Sequence, residues 1–182
     1  MNRVDIEVGA TPIGHARTWA YPDGAPTVHY KIPTYRVTVS GKDSSGNPQK
    51  TDFEAFRFGV QKEGTTGPRV VGLANAQTHT IKAWIPDYSV HSARSTERGA
   101  WQVYGSFLIH DGPDSPHSQV YASIGCVEIC NGPAGFNLFN DFIISLANPS
   151  ATDCARQLLE IGKSGKLVVA YLQATRPPLL RW

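Results

Sequence analysis

Trp101-Gln102-Val103-Tyr104-Gly105-Ser106-Phe107-Leu108-Ile109-His110 is the stretch whose pattern decides the fold. Its odd positions Trp101, Val103, Phe107 and Ile109 are apolar, whereas Gln102, Tyr104, Ser106, Leu108 and His110 share the other parity. That period of two belongs to a strand with one buried face. The expectation is one strand that hands His110 to the side away from the core. The same period carried on from Cys126 places Cys126, Glu128 and Cys130 on one face and Val127 and Ile129 on the other. A histidine and a cysteine are thereby directed toward one groove.

Working outward, Tyr35, Val37 and Val39 alternate with Arg36, Thr38 and Ser40, residues 41–48 read as a loop, and Phe56, Phe58 and Val60 resume the period, which predicts a hairpin. Two more strands are expected over 69–73 and 78–85, the second alternating Ile81, Ala83 and Ile85 before Pro86. Pro12, Pro22, Pro26, Gly9, Gly14 and Gly24 punctuate residues 1–30 and predict an irregular N-terminal arm. On the far side, Phe139, Phe142, Ile143 and Leu146 have helical spacing within 136–147. Ser150 with Asp153 three residues later reads as a capping box for a second helix carrying Leu158 and Leu159 and stopping at Gly162. Residues 166–172 return as a strand. About seven strands and two short C-terminal helices make a mainly β (α+β) fold, expected as a single domain over 1–182.

Composition narrows the function classes. A chain of 182 residues, 41% hydrophobic and 18% charged, is long enough for one sizeable core. A net charge of +2 without a dense Lys or Arg run argues against nucleic acid as a partner. The apolar run over 142–147 is far short of the ~20 residues a membrane span needs, so no membrane partner is expected. Met1-Asn2-Arg3-Val4-Asp5-Ile6-Glu7 lacks a secretory apolar segment, so no Sec signal is expected. Three cysteines leave one thiol free if the other two pair; Cys130 and Cys154 either form a disulfide or stay reduced.

The chemistry sits between Ile109-His110-Asp111-Gly112 and Ser123-Ile124-Gly125-Cys126-Val127. A thiol attacks carbonyls as thiolate, free cysteine has a pKa of about 8.5, and a neighbouring imidazole is the usual means of activating it. Lowering the thiol pKa by two units would yield only about a threefold net gain, because nucleophilicity falls with basicity. Protonating the departing amine is worth 10²–10⁴-fold, so His110 is expected to act as base and then acid. Gly125 would let backbone N–H groups approach an oxyanion, and Ser123 would add a hydroxyl.

An Ile-His-x-Gly strand end followed by Ser-x-Gly-Cys and a small aliphatic residue resembles the L,D-transpeptidase family, the YkuD-type catalytic domain. Histidine precedes cysteine, the reverse of papain-like and NlpC/P60-like peptidases. The chain departs from the usual pattern at Ile124, where a second histidine is common, and at Glu128, where arginine or asparagine is common. The form without that histidine is more similar to the type VI secretion effectors of the family. The resemblance implies a β-sandwich, no cofactor, no metal, and peptidoglycan stem peptides as substrate. It implies a thioester on Cys126 after loss of terminal D-alanine, with an amine, water or a D-amino acid as acceptor. Catalytic roles then fall to Cys126, His110, Ser123 and Gly125, and stem contacts to Asp111, Gly112, Ile124 and Glu128. As an effector the chain would be made in the cytoplasm, leave through a secretion apparatus, act in the periplasm of a target bacterium and be neutralised by an immunity protein.

Other readings of the same residues stay open. A cysteine in an apolar strand is ordinarily a small core residue. Asp111 or Asp114 either orients His110 or serves the turn beside Gly112 and Pro113. His79, His91 and His117 read as loop histidines, Arg94 and Arg98 as stem-carboxylate ligands or a solvated loop. Cys126, Cys130, His110 and His117 lack zinc-knuckle spacing. At the level of function, a cysteine peptidase or amidase cutting another peptidoglycan bond and a non-catalytic wall-binding module are the alternatives.

Overall fold

A 16-residue strand, β1 (Val4–Trp19), occupies most of the segment expected as an irregular arm. The computed structural model describes residues 1–23, 27–89, 99–132 and 134–182. Pro12 and Gly14 do not interrupt β1, because they fall where its register against β2 (Tyr30–Lys42) shifts, between Val8 and Pro12 and again between Pro12 and Gly14. A bulge absorbs a proline that has no N–H to give to the ladder. β2 turns back into β3 (Pro48–Phe56), the hairpin legible in the alternation of Tyr35, Val37 and Val39. On its other edge β1 runs parallel to β12 (Leu167–Tyr171) through Val4 to Val8 and to β10 (Val120–Ala122) through Arg17 to Trp19.

The remaining strands are β4 (Gly59–Gln61), β5 (Arg69–Val71), β6 (Gln77–Thr80), β7 (Ala83–Ile85), β8 (Ala100–Tyr104), β9 (Phe107–Asp111), β11 (Val127–Ile129) and β13 (Leu180–Arg181). Eleven strands form one sheet in the order β6-β12-β1-β2-β3-β11-β9-β8-β7, with β10 on β1 and β13 on β2, and β4 with β5 makes a separate ribbon. The sheet curls until its two ends meet in one stretch of chain. The Ile81 N–H donates to the Leu167 carbonyl at 2.9 Å and the Lys82 N–H to the Gln102 carbonyl at 2.8 Å. The mainly β, α+β architecture is thus built from one curled sheet. The strand expected over 78–85 divides at this crossing into β6 and β7, and its buried residues are Ile81 and Trp84 rather than an alternating set.

The stretch 101–110 is a hairpin, not one strand: β8 and β9 meet at Gly105-Ser106, with Trp101 opposite Ile109 and Ala100 opposite His110. From Ala100 to Gln102 the pairs match odd with odd or even with even, so the faces of Trp101 and His110 survive the turn; past a register shift after Gln102, Tyr104 lies opposite Phe107. Trp101, Val103, Ile109, Val127 and Ile129 join one core with α1 (Gly135–Ala147) and α2 (Cys154–Ser164), which contribute Phe136, Phe139, Ile143, Leu146, Leu158 and Ile161. The buried Trp101 indole N–H donates to Asn140 Oδ1 at 2.9 Å, satisfying the polar tip of an otherwise apolar side chain.

The cap of α2 is Asp153, whose Oδ1 accepts from the Arg156 N–H at 3.0 Å, not Ser150. Ser150 is taken by Glu160, whose Oε1 accepts from both its N–H and its hydroxyl at 3.0 and 2.9 Å. Gly162 continues the helix instead of stopping it, and Gly165 in the left-handed region closes it. A Cβ at Gly162 would stand 2.5 Å from the Trp84 backbone nitrogen, so close approach to β7 demands glycine there.

Arg57 is fully buried, with no carboxylate partner among the described residues. Its guanidinium donates to the carbonyls of Leu73 (2.9 Å), Gly9 (2.7 Å), Ala74 (3.2 Å) and Leu172 (2.6 Å). The rings of Tyr35, Phe58 and Tyr171 surround it. Four carbonyl dipoles and three π-faces replace water around the charge. Burial nevertheless pulls its pKa below the ordinary arginine value.

Candidate active site

β9 and β11 run parallel, with Ile109 beside Val127 and His110 beside Glu128. Ile109 and Val127 face α1, so His110, Glu128 and, one position before the pairing begins, Cys126 face the other way. The common face expected for the histidine and cysteine is present. His110 and Cys126 lie on adjacent strands, offset along them by one repeat of the pleat, roughly 6–7 Å.

His110 is fully buried. Its Nδ1 lies 2.7 Å from the Asp111 carbonyl oxygen. A carbonyl only accepts, so Nδ1 carries the proton and Nε2 keeps the lone pair, the tautomer a general base requires. The orienting group is therefore the main chain of Asp111, in place of the carboxylate of Asp111 or Asp114. The Tyr88 ring packs over the imidazole at 5.2 Å between centroids.

Cys126 is 5% exposed, yet it lines a cleft of about 510 Å³ with Gln61, Arg69, Gly72, Ser106, Ile124 and Arg176. Its thiol is directed at the Ser106 carbonyl at 3.9 Å. Burial, reinforced by the nearby Glu128 carboxyl and partly offset by a hydrogen bond from the Leu108 backbone, pushes the thiol up to about 12. The resting form is a neutral thiol. Desolvation outweighs every favourable contact at the sulfur.

Gly125 has φ of 94°, and a Cβ there would stand 2.7 Å from Gly72 Cα. Glycine is required by the left-handed backbone and by the segment after β5 pressing against it. Ser123 is not brought to the cleft. It is fully buried, its Oγ donates to the Phe58 carbonyl at 3.4 Å, and its own carbonyl accepts from Val60 at 2.9 Å. Of the four expected stem contacts only Ile124 lines the cleft. Asp111, Gly112 and Glu128 are buried behind it, with the Gly112 N–H donating to Ile129 at 2.9 Å. The outward parity of these residues was legible, but not the elements that cover them.

Apart from the Ser123 hydroxyl beside it, the fully buried Glu128 carboxyl finds no hydrogen-bond partner among the described residues. Burial raises its pKa to about 8, opposed by the nearby Ser123 hydroxyl and assisted by Asp111. His117 instead ties the spacer to the sheet. Its Nδ1 meets the His15 carbonyl at 2.9 Å and its Nε2 the Glu54 carboxylate, also at 2.9 Å, and both contacts raise its pKa. His79 stacks on Tyr104. His91, Arg94 and Arg98 lie outside the described residues.

Sequence reasoning passed over Tyr88, Gln61, Arg69 and Arg176, which carry no periodic or motif signal. Arg176 donates to the Val70 and Gly72 carbonyls at 2.9 and 3.0 Å, holding the cleft wall, and Arg69 pairs with Glu63 at 2.8 Å. Cys126, Cys130 and Cys154 are all unpaired thiols; Cys130 is buried and donates to the Glu128 carbonyl at 3.1 Å, and Cys154 is exposed. Among the described residues no three His, Cys, Asp or Glu side chains are grouped to hold a metal ion, and no helix is long and apolar enough to cross a membrane. No protein-family model, curated protein or solved structure matches the chain, so its chemistry rests on its own geometry.

Proposed function

We propose that the chain is a cysteine acyltransferase of peptidoglycan stem peptides, an L,D-transpeptidase or L,D-carboxypeptidase, with Cys126 as nucleophile and His110 as its base and acid. The observation that carries this reading is the β9–β11 pairing, which sets imidazole and thiol on one face while the sulfur opens on a cleft flanked by the cationic Arg69 and Arg176. A carboxylate-bearing stem suits that charge.

The neutral thiol sets the order of events. With the thiol at about 12, a thiolate formed ahead of substrate is scarce at neutral pH, so His110 Nε2 takes the thiol proton as sulfur attacks the carbonyl carbon. The imidazolium then protonates the departing nitrogen, the C–N bond breaks, D-alanine leaves and a thioester remains. An amine, water or a D-amino acid attacks the thioester, His110 removes its proton, and the thiol is regenerated. The effector role rests on resemblance: Ser123-Ile124-Gly125-Cys126 followed by Val127, without a second histidine, is the secretion-effector form. In that role the chain acts in the periplasm of a competing bacterium, with a secretion apparatus and an immunity protein as partners.

A second reading, a wall-binding module without turnover, is favoured by the burial of Cys126 itself. Mass analysis of muropeptides separates the two. Loss of D-alanine from tetrapeptide stems with the native chain, abolished in Cys126→Ala at unchanged circular dichroism, is the expected result. Unaltered stems with the native chain would favour the binding module, and turnover by Cys126→Ala would remove the nucleophile.

A further inference from the structure

Glu128 takes no part in the steps above, yet it stands beside the base. The β9–β11 ladder pairs it with His110, so the two side chains leave adjacent strands on the same face roughly 5 Å apart at Cβ. On its other flank the register neighbour is Phe56, which offers no polar group. The carboxyl is fully buried and, apart from the Ser123 hydroxyl beside it, finds no hydrogen-bond partner among the described residues. A buried polar group left in that state is costly, and in a folded chain it calls for an explanation.

Among the described residues the ionisable groups around it are His110 and Asp111 from β9, Cys126 and Cys130 from its own segment, and Tyr88 from the chain after β7, with the Ser123 hydroxyl close by. Glu54 of β3 lies beyond Cys130. Among the described residues no lysine or arginine acts on the carboxyl. His110 is thus the member of this set that becomes cationic.

We propose that Glu128 is a positioning residue acting through His110: whether its buried carboxyl is neutral or ionised sets how tightly the imidazole holds the proton taken from Cys126. The kinetic consequence rests on the acyl-transfer reading, whereas the coupling is a property of the two side chains alone. A neutral carboxyl leaves the imidazole a weak base. An ionised one stabilises the imidazolium across the ladder, and in a water-excluded site that interaction is poorly screened. The carboxyl changes state near pH 8, so the coupling is exercised close to neutrality.

The test is histidine-resolved NMR of the full chain, native and Glu128→Gln, from pH 5 to 10 and without substrate. Native His110 is expected to show an added inflection near pH 8, missing in the Gln variant. Superimposable His110 curves would overturn the proposal. On stem peptides, Glu128→Gln is expected to lose about threefold in kcat above pH 8 at unchanged KM, the two profiles converging below pH 6. Should the variant fold poorly, the infrared band of the protonated carboxyl in the native chain serves instead: it should vanish over the same pH interval as the His110 inflection, and a mismatch would refute the coupling. A chain without turnover but with the inflection would sink the acyl-transfer reading alone.

Discussion

At Glu128 the pH of the solution reaches the core. The folded chain holds this carboxyl near 8 against an ordinary 4.5, because burial disfavours the charge. A raised folded pKa means that its contribution to stability is complete below pH 4.5 and is lost as pH climbs toward 8, on the order of 5 kcal/mol in all. The urea midpoint is therefore expected to fall between pH 5 and 8 in the native chain and to fall much less in Glu128→Gln; parallel curves would contradict the assignment. His117, also raised but half-exposed, acts in the same direction and remains in both proteins. The thiols offer a second check. Exposed Cys154 should be alkylated first at pH 7.5, while Cys126 and Cys130 resist until the chain is denatured, with labelling sites read by peptide mass. Prompt labelling of Cys126 would mean that its burial is relieved in solution.

Elements were legible where pattern and partner stayed constant along them. The parity of residues 101–110 assigned Trp101 and His110 to opposite faces correctly even though the stretch folds back on itself, because the register from Ala100 to Gln102 pairs like with like. The same logic failed over Ile81, Ala83 and Ile85, where the chain changes partners midway and the buried pair becomes Ile81 and Trp84. Pro12 and Gly14 looked like breakers since a sequence does not announce that a bulge will absorb them. The cysteine and histidine of the site follow from period two and a local motif. The cleft wall does not, since Gly72 meets Gly125, and Arg176 meets Gly72, only through the tertiary fold. α2 illustrates this at a single position. Gly162→Ala improves intrinsic helix propensity by about 1 kcal/mol, but the new methyl meets the backbone of β7. A net loss of about 1–2 kcal/mol in chemical denaturation is expected, and a gain would show that β7 yields.

Across the whole molecule, the curled sheet is completed by a single crossing at Ile81 and Lys82. Lys82→Pro deletes the N–H that reaches Gln102 and is expected to destabilise the chain by about 1–3 kcal/mol, whereas Lys82→Ala, which keeps that donor, should be nearly silent in thermal unfolding. Equal effects would show that the side chain, not the closure, matters there.

Two guanidinium groups hold one wall of the cleft, Arg57 gripping the Leu73 and Ala74 carbonyls and Arg176 gripping those of Val70 and Gly72. That wall bears on Gly125, the residue before the sulfur. The carboxy-terminal tail is consequently a strap across the cleft. Trimming it ahead of Arg176 would slacken the rim and quicken alkylation at Cys126.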